Sequence, residues 1–198
     1  MKYRLKYKVY GVPVVLWMII VLIAIILGSQ TIELKDMTFY QLSSEPHRFS
    51  WIVNMAWISS GLLIAFITLL YYKRDEFSKS FAYTLSVFGL SMFLIGMYGN
   101  DVDLDSTVLG YQMTNYQLMY GVSIISILVA MWMHSFLSHE RRLKLIHLSH
   151  ALVLVICVML YTVLPVWRIA IECLGWLIVF YWLLGYFGKV DAHDIRRF

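Results

Sequence analysis

The chain has 198 residues, 61% of them hydrophobic, 16% aromatic and only 14% charged. That balance excludes an ordinary soluble domain and leaves an integral membrane protein, whose apolar runs are solvated by lipid rather than water. The net charge of +4 and the pI near 9.0 come from basic residues flanking those runs, so nothing calls for a nucleic acid partner.

A hydrocarbon core about 30 Å thick requires roughly 20 apolar residues per helix, and six runs qualify. They cover Tyr10 to Leu27, Trp51 to Tyr72, Ser80 to Tyr98, Gln117 to Leu137, Leu145 to Leu164 and Trp167 to Tyr186. The expected fold is all-α: one integral membrane domain over residues 1–198, a polytopic bundle of six transmembrane helices, with no soluble appendage.

Lys2, Arg4, Lys6 and Lys8 precede the first run, as in a signal peptide, but no A-x-A site follows in "AIILGSQT". The run is therefore read as a retained helix. The next connection carries only Lys35 and Arg48 as basic residues. Its last part, "SSEPHRFSW", brings Glu45, His47 and Arg48 directly into the second run, where Asn54 follows. Lys73, Arg74 and Lys79 separate the second and third runs.

The third run ends in "YGNDVDLDSTVLGYQMTNYQ", which contains neither Lys nor Arg. Asp101, Asp103 and Asp105 have the opening spacing of a calcium loop, but Ser106 stands at its glycine position and Gln112 at its closing glutamate. A solvated acidic turn is the simpler expectation. A loosely held divalent cation is the weaker one.

Asn115, Gln117 and Tyr120 mark the entrance to the fourth run, and Arg141, Arg142 and Lys144 follow it. His134 and His139 end that run, and His147 and His150 open the fifth. They read as interfacial side chains at helix ends, not as imidazoles facing one another at depth. The link "LPVW" makes runs five and six a tight antiparallel pair. Lys189, Arg196 and Arg197 close the chain. Basic residues are retained on the cytoplasmic side, so both termini are predicted to be cytoplasmic and the acidic segment external.

Known catalytic motifs are absent: the sequence has no G-x-x-x-x-G-K-[ST], H-E-x-x-H or G-x-S-x-G. No cofactor is expected. Cys157 and Cys173 lie within apolar runs without a C-x-x-C, which makes them packing thiols. Ser59, Ser60 and Thr114 offer hydroxyls, but no base sits at a motif-defined distance from them.

The outer half is richer. In "WRIAIECLGW", Glu172 lies four residues beyond Arg168, about 6 Å deeper by helix rise and on the same face. A carboxylate within a membrane helix normally faces the protein interior with a partner, which makes Glu172 a functional candidate. Asn54, Asn115, Gln117 and Tyr120 fall at comparable depth, with His47 and Arg48 above them. Two readings follow. Arg168 and Glu172 form an ion pair locking the last hairpin, or the set converges on an externally open pocket roofed by the acidic segment. Close approach between helices is expected at Gly61, Gly89, Gly96, Gly121 and Gly175.

The stretch "QLSSEPHRFSWIVNMAWISSGLLI", followed one helix later by "FLIGMYGNDVD", resembles the six-helix prokaryotic membrane family called domain of unknown function nine-nine-eight. Ser44 and Glu45 match a Ser-Glu-Leu-Gly-like segment entering helix two, and Gly96 with Asp101 match a Gly-x-Phe-Pro-x-Asp-like end to helix three. The family's histidine near helix four has no counterpart, and Asn115 or Tyr116 stands nearby. A weaker similarity is to the six-helix Frag1 and Sfk1-like proteins associated with lipid-anchor remodelling and lipid organisation. The resemblance implies topology and a prokaryotic cytoplasmic membrane, not a reaction.

The favoured function is a binding or accessory protein that takes a lipid headgroup, a lipid-linked ligand or a membrane-protein partner into the outer pocket. Its ligand residues would be Arg168, Glu172, Asn54, His47, Arg48, Asn115, Gln117 and Tyr120. The alternative is an enzyme modifying a lipid or lipid-anchored substrate at the outer leaflet, with Glu172 or Asp101 as base. A small-solute transporter subunit fits the helix count, but the first helix lacks a small-xxx-small docking surface.

Overall fold

Lipid offers no hydrogen-bond partners, so each apolar run must satisfy its backbone internally, and the α-helix does so. The computed structural model describes residues 11–29, 38–43, 49–73, 79–99, 105–108, 111–137 and 141–185. Six long helices occupy the six apolar runs: α1 (Gly11–Gly28), α3 (Ser50–Lys73), α4 (Lys79–Met97), α5 (Asn115–Leu137), α6 (Arg141–Val163) and α7 (Arg168–Gly185). Between α1 and α3 lies the short α2 (Phe39–Ser43). Between α4 and α5, β1 (Asp105–Val108) and β2 (Tyr111–Thr114) pair antiparallel, with Asp105 opposite Thr114 and Val108 opposite Tyr111.

Four segments are long and apolar enough to cross a membrane: Ser50–Leu70, Asn115–Phe136, Arg141–Val163 and Pro165–Leu184. Gly11–Leu27 and Ala82–Met97 are shorter apolar helices. Large apolar side chains remain exposed along every long helix, among them Ile19, Phe66, Leu90, Ile125, Leu152 and Leu177. With these spans, the chain is a membrane protein whose apolar exterior suits lipid.

Neighbouring helices in sequence pack side by side, α1 on α3, α3 on α4, and so on to α6 on α7. Trp17 of α1 meets Trp176 and Phe180 of α7 at 5.6 and 4.9 Å between centroids, which brings the first and last helices together. Around this closure gather Phe39, Trp57, Phe88 and Tyr120. The core is therefore aromatic, and edge-to-face contacts of this kind each add about 0.5–1.5 kcal/mol beyond area burial. Helix α6 is peripheral. Only 17% of its span is buried, against 56% for α3.

The closest helix pair is α3 with α4. A Cβ added to Gly61 would meet the Phe93 amide nitrogen and sit 2.5 Å from the Gly89 carbonyl oxygen. One added to Gly89 would lie 2.7 Å from the Ala65 amide nitrogen, and one on Gly96 2.5 Å from the Asn54 carbonyl oxygen. Glycine at these positions lets backbone rest on backbone, as the sequence predicts. Gly121 departs from that expectation, because a Cβ there would meet nothing within 4 Å. Gly175 makes only ordinary contact, with Leu154 and Cys157.

Two further expectations change. The predicted acidic turn is partly a hairpin, since residues 105–108 and 111–114 pair as strands. Helix α5 begins at Asn115 rather than Gln117, because a capping box sets its start. Gln117 N–H donates to Thr114 Oγ1 at 3.2 Å, and Thr114 N–H donates to Gln117 Oε1 at 3.1 Å. This reciprocal Thr-x-x-Gln pair satisfies two backbone donors that the helix end would otherwise leave open.

Candidate binding site beneath helix α2

Helix α2 has five residues, too few to be stable through its own backbone hydrogen bonds. Its neighbours hold it. The Thr38 hydroxyl accepts from Gln41 N–H and donates to Gln41 Oε1, both at 3.1 Å. At the same end Phe39 N–H donates to Glu172 Oε2 at 2.8 Å. At the other end Asn54 Nδ2 donates to the Ser43 carbonyl at 3.2 Å. Phe39 itself is buried against Trp17 and Trp57. The short helix thus lies pinned across one end of the bundle, with α7 below one terminus and α3 below the other.

Under and beside it opens a cleft of about 540 Å³. Helix α2 contributes Tyr40 and Gln41, α5 contributes Tyr116, Gln117 and Tyr120, α6 contributes Tyr161, and α7 contributes Arg168 and Glu172. A second hollow of about 340 Å³ runs from it along α5, α6 and α7, lined by apolar residues including Ile124, Leu154, Val158 and Ile171. Tyr120, Gly121, Tyr161 and Glu172 border both spaces. The bare Gly121 and the loosely packed α6 are what leave this groove open.

Glu172 is 7% exposed. Its carboxylate takes the Phe39 amide and lies within reach of the Tyr161 hydroxyl. The first of the two readings, an ion pair with Arg168, is not formed as a direct contact among the described residues. Arg168 lies instead over the Tyr161 ring, 5.4 Å from its centroid, with its Nε buried and without a hydrogen-bond partner. The two charges share the cleft but stay apart.

The tyrosines form a wall. Tyr116 lies tilted against Tyr40 at 5.1 Å and stacked with Tyr120 at 6.1 Å, and Trp176 Nε1 donates to the Tyr120 hydroxyl at 2.9 Å. The Tyr116 hydroxyl lies next to Ser43 Oγ, yet neither reaches hydrogen-bond geometry, and both are buried.

The structure brings four of the sequence-predicted ligand residues together here: Arg168, Glu172, Gln117 and Tyr120. Gln117 also caps α5 through its Oε1. Asn54 serves elsewhere, anchoring α2 and lying against Gly99. Asn115 opens α5 without lining the cleft. His47, Arg48, Asp101 and Asp103 lie outside the described residues, and Asp105 is placed by its backbone in β1. No group of three or more metal-ligating side chains occurs among the described residues.

The hydroxyls considered as nucleophiles are occupied. Ser59 donates to Met55 O at 2.7 Å, Ser60 to Pro13 O at 3.1 Å, and Thr114 caps α5. The histidines also differ from expectation. His134 and His147 are both buried and stack at 4.9 Å, and Trp182 Nε1 donates to His147 Nδ1 at 3.0 Å. They are structural parts of the opposite end of the bundle. His150 lies stacked on Tyr181 at 5.8 Å.

Sequence reasoning missed Thr38, Gln41 and Tyr161 as site residues. The first two carry a readable signal, because "TFYQ" repeats the Thr-x-x-Gln spacing of "TNYQ". Tyr161 is one tyrosine among 14, and only the meeting of α6 with α7 distinguishes it. The chain matches no family model, no curated protein and no solved structure.

Proposed function

We propose that this chain is a six-span protein that binds a membrane amphiphile, taking the polar head into the cleft beneath α2 and the apolar chain into the groove beside α6. One observation carries the reading: a polar cleft and an apolar groove meet at Tyr120, Gly121, Tyr161 and Glu172. A free polar solute has no use for the groove, and a plain hydrocarbon has none for the cleft. The distribution of basic residues supports placing the cleft at the outer leaflet, with both termini cytoplasmic.

Gly121→Phe tests the reading, because the new side chain projects into open space rather than into a neighbour. The variant purified in mild detergent should fold, and native mass spectrometry should show loss of the lipid that the parent retains. Equal lipid retention in both proteins would remove the amphiphile reading.

A further inference from the structure

The arrangement of charge within the cleft says more about the head. Glu172 is nearly buried, and its partners among the described residues are neutral donors, the Phe39 amide and the Tyr161 hydroxyl. A buried carboxylate without a counter-charge is costly. One turn away on the same helix, Arg168 is half-buried with an unpartnered Nε, and among the described residues neither it nor Glu172 makes a contact ion pair. The two share one cleft without forming a contact ion pair. Tyr161 stands between them, carrying Arg168 over its ring and reaching Glu172 with its hydroxyl.

Resting on the amphiphile reading, we propose that the head is zwitterionic: a phosphodiester held by Arg168, joined by a short bridge to an ammonium held by Glu172 and the tyrosine faces. The ligand class is an aminoalkyl phospholipid. A guanidinium offers two parallel donors to phosphate oxygens, a geometry that suits Arg168. An ammonium gains from a carboxylate and from aromatic rings together, and Tyr40, Tyr120 and Tyr161 line the cleft with Glu172. A purely anionic head would satisfy Arg168 and leave Glu172 repelling it. An uncharged sugar head would satisfy neither.

The test compares three lipids of equal chain length, added to the delipidated protein in detergent, by their shift of the melting temperature. They are phosphatidylethanolamine, phosphatidylglycerol and an uncharged glycosyl diacylglycerol. Phosphatidylethanolamine should give the largest shift. Glu172→Gln keeps an acceptor for Phe39 N–H and should abolish the preference for the ethanolamine head over the glycerol head. Arg168→Gln should reduce the response to both phospholipids toward that of the glycolipid. Glycerophosphoethanolamine without chains should give a much smaller shift than the lipid. A response to phosphatidylglycerol equal to or above that to phosphatidylethanolamine in the parent would overturn the zwitterion and leave the amphiphile reading standing. No response to any of the three lipids, or an equal response to the chain-free head, would overturn both.

Discussion

At the residue scale, the glycines show how one residue type serves opposite ends. Gly61 is required by contact, since a methyl group there strikes the backbone of α4 at Phe93 and Gly89. Gly121 is under no such constraint, since it borders a hollow. Gly61→Ala should therefore destabilise by about 1–3 kcal/mol, the usual cost of overpacking. Gly121→Ala should stabilise slightly, by roughly 0.4–1 kcal/mol, because it only removes freedom from the unfolded helix. Thermal unfolding in detergent distinguishes the two signs, and a matched loss in both would mean that the groove at Gly121 is closed. Both glycines read as close-approach points in the sequence. Adjacent glycine and apolar spacing is the same at a packed crossing and at an open one, so only the partner helix decides.

Glu172 shows the same limit. Its depth and its functional candidacy follow from the sequence, and so does its sharing a face with Arg168. Its main partner does not, because the Phe39 amide arrives from an element 133 residues away. The absence of a contact ion pair has a measurable consequence. In a double-mutant cycle, Arg168→Met and Glu172→Gln should couple by less than about 1 kcal/mol in stability, within the scatter of weakly interacting sites. A coupling of 3 kcal/mol or so, typical of broken buried pairs, would restore the ion-pair account.

At the scale of elements, the six long helices were legible because the period and length of apolar runs need no tertiary information. Helix α2 was not, since five residues carry too little pattern and its existence depends on contacts from α3 and α7. Those contacts predict its behaviour. Glu172→Leu leaves the Phe39 N–H without its acceptor and should cost about 1–3 kcal/mol, whereas Glu172→Gln preserves the bond. Hydrogen exchange should show the Phe39 amide losing protection in the leucine variant and keeping it in the glutamine variant. Equal protection in parent and leucine variant would mean that α2 is held without Glu172. The hairpin before α5 escaped for a related reason. Its strands span only residues 105–108 and 111–114, and the aspartates drew attention to side-chain charge rather than to backbone pairing.

For the whole molecule, the two ends of the bundle differ in kind, and orientation decides what each can meet. The end with α2 holds the cleft, with its tyrosines, Arg168 and Glu172. The opposite end holds His134, His147 and Trp182 in a buried, hydrogen-bonded cluster. Arg141 and Arg142 begin α6 beside that cluster and are exposed, while β2 leads into α5 at the cleft end. If positive charge is retained on the cytoplasmic side, the cleft opens to the outer leaflet. Single cysteines at positions 103 and 142, in a background lacking Cys157 and Cys173, should differ toward an impermeant thiol reagent applied to intact cells. Position 103 should label and position 142 should label only after permeabilisation. The reverse pattern would invert the molecule. The cleft would then open to the inner leaflet.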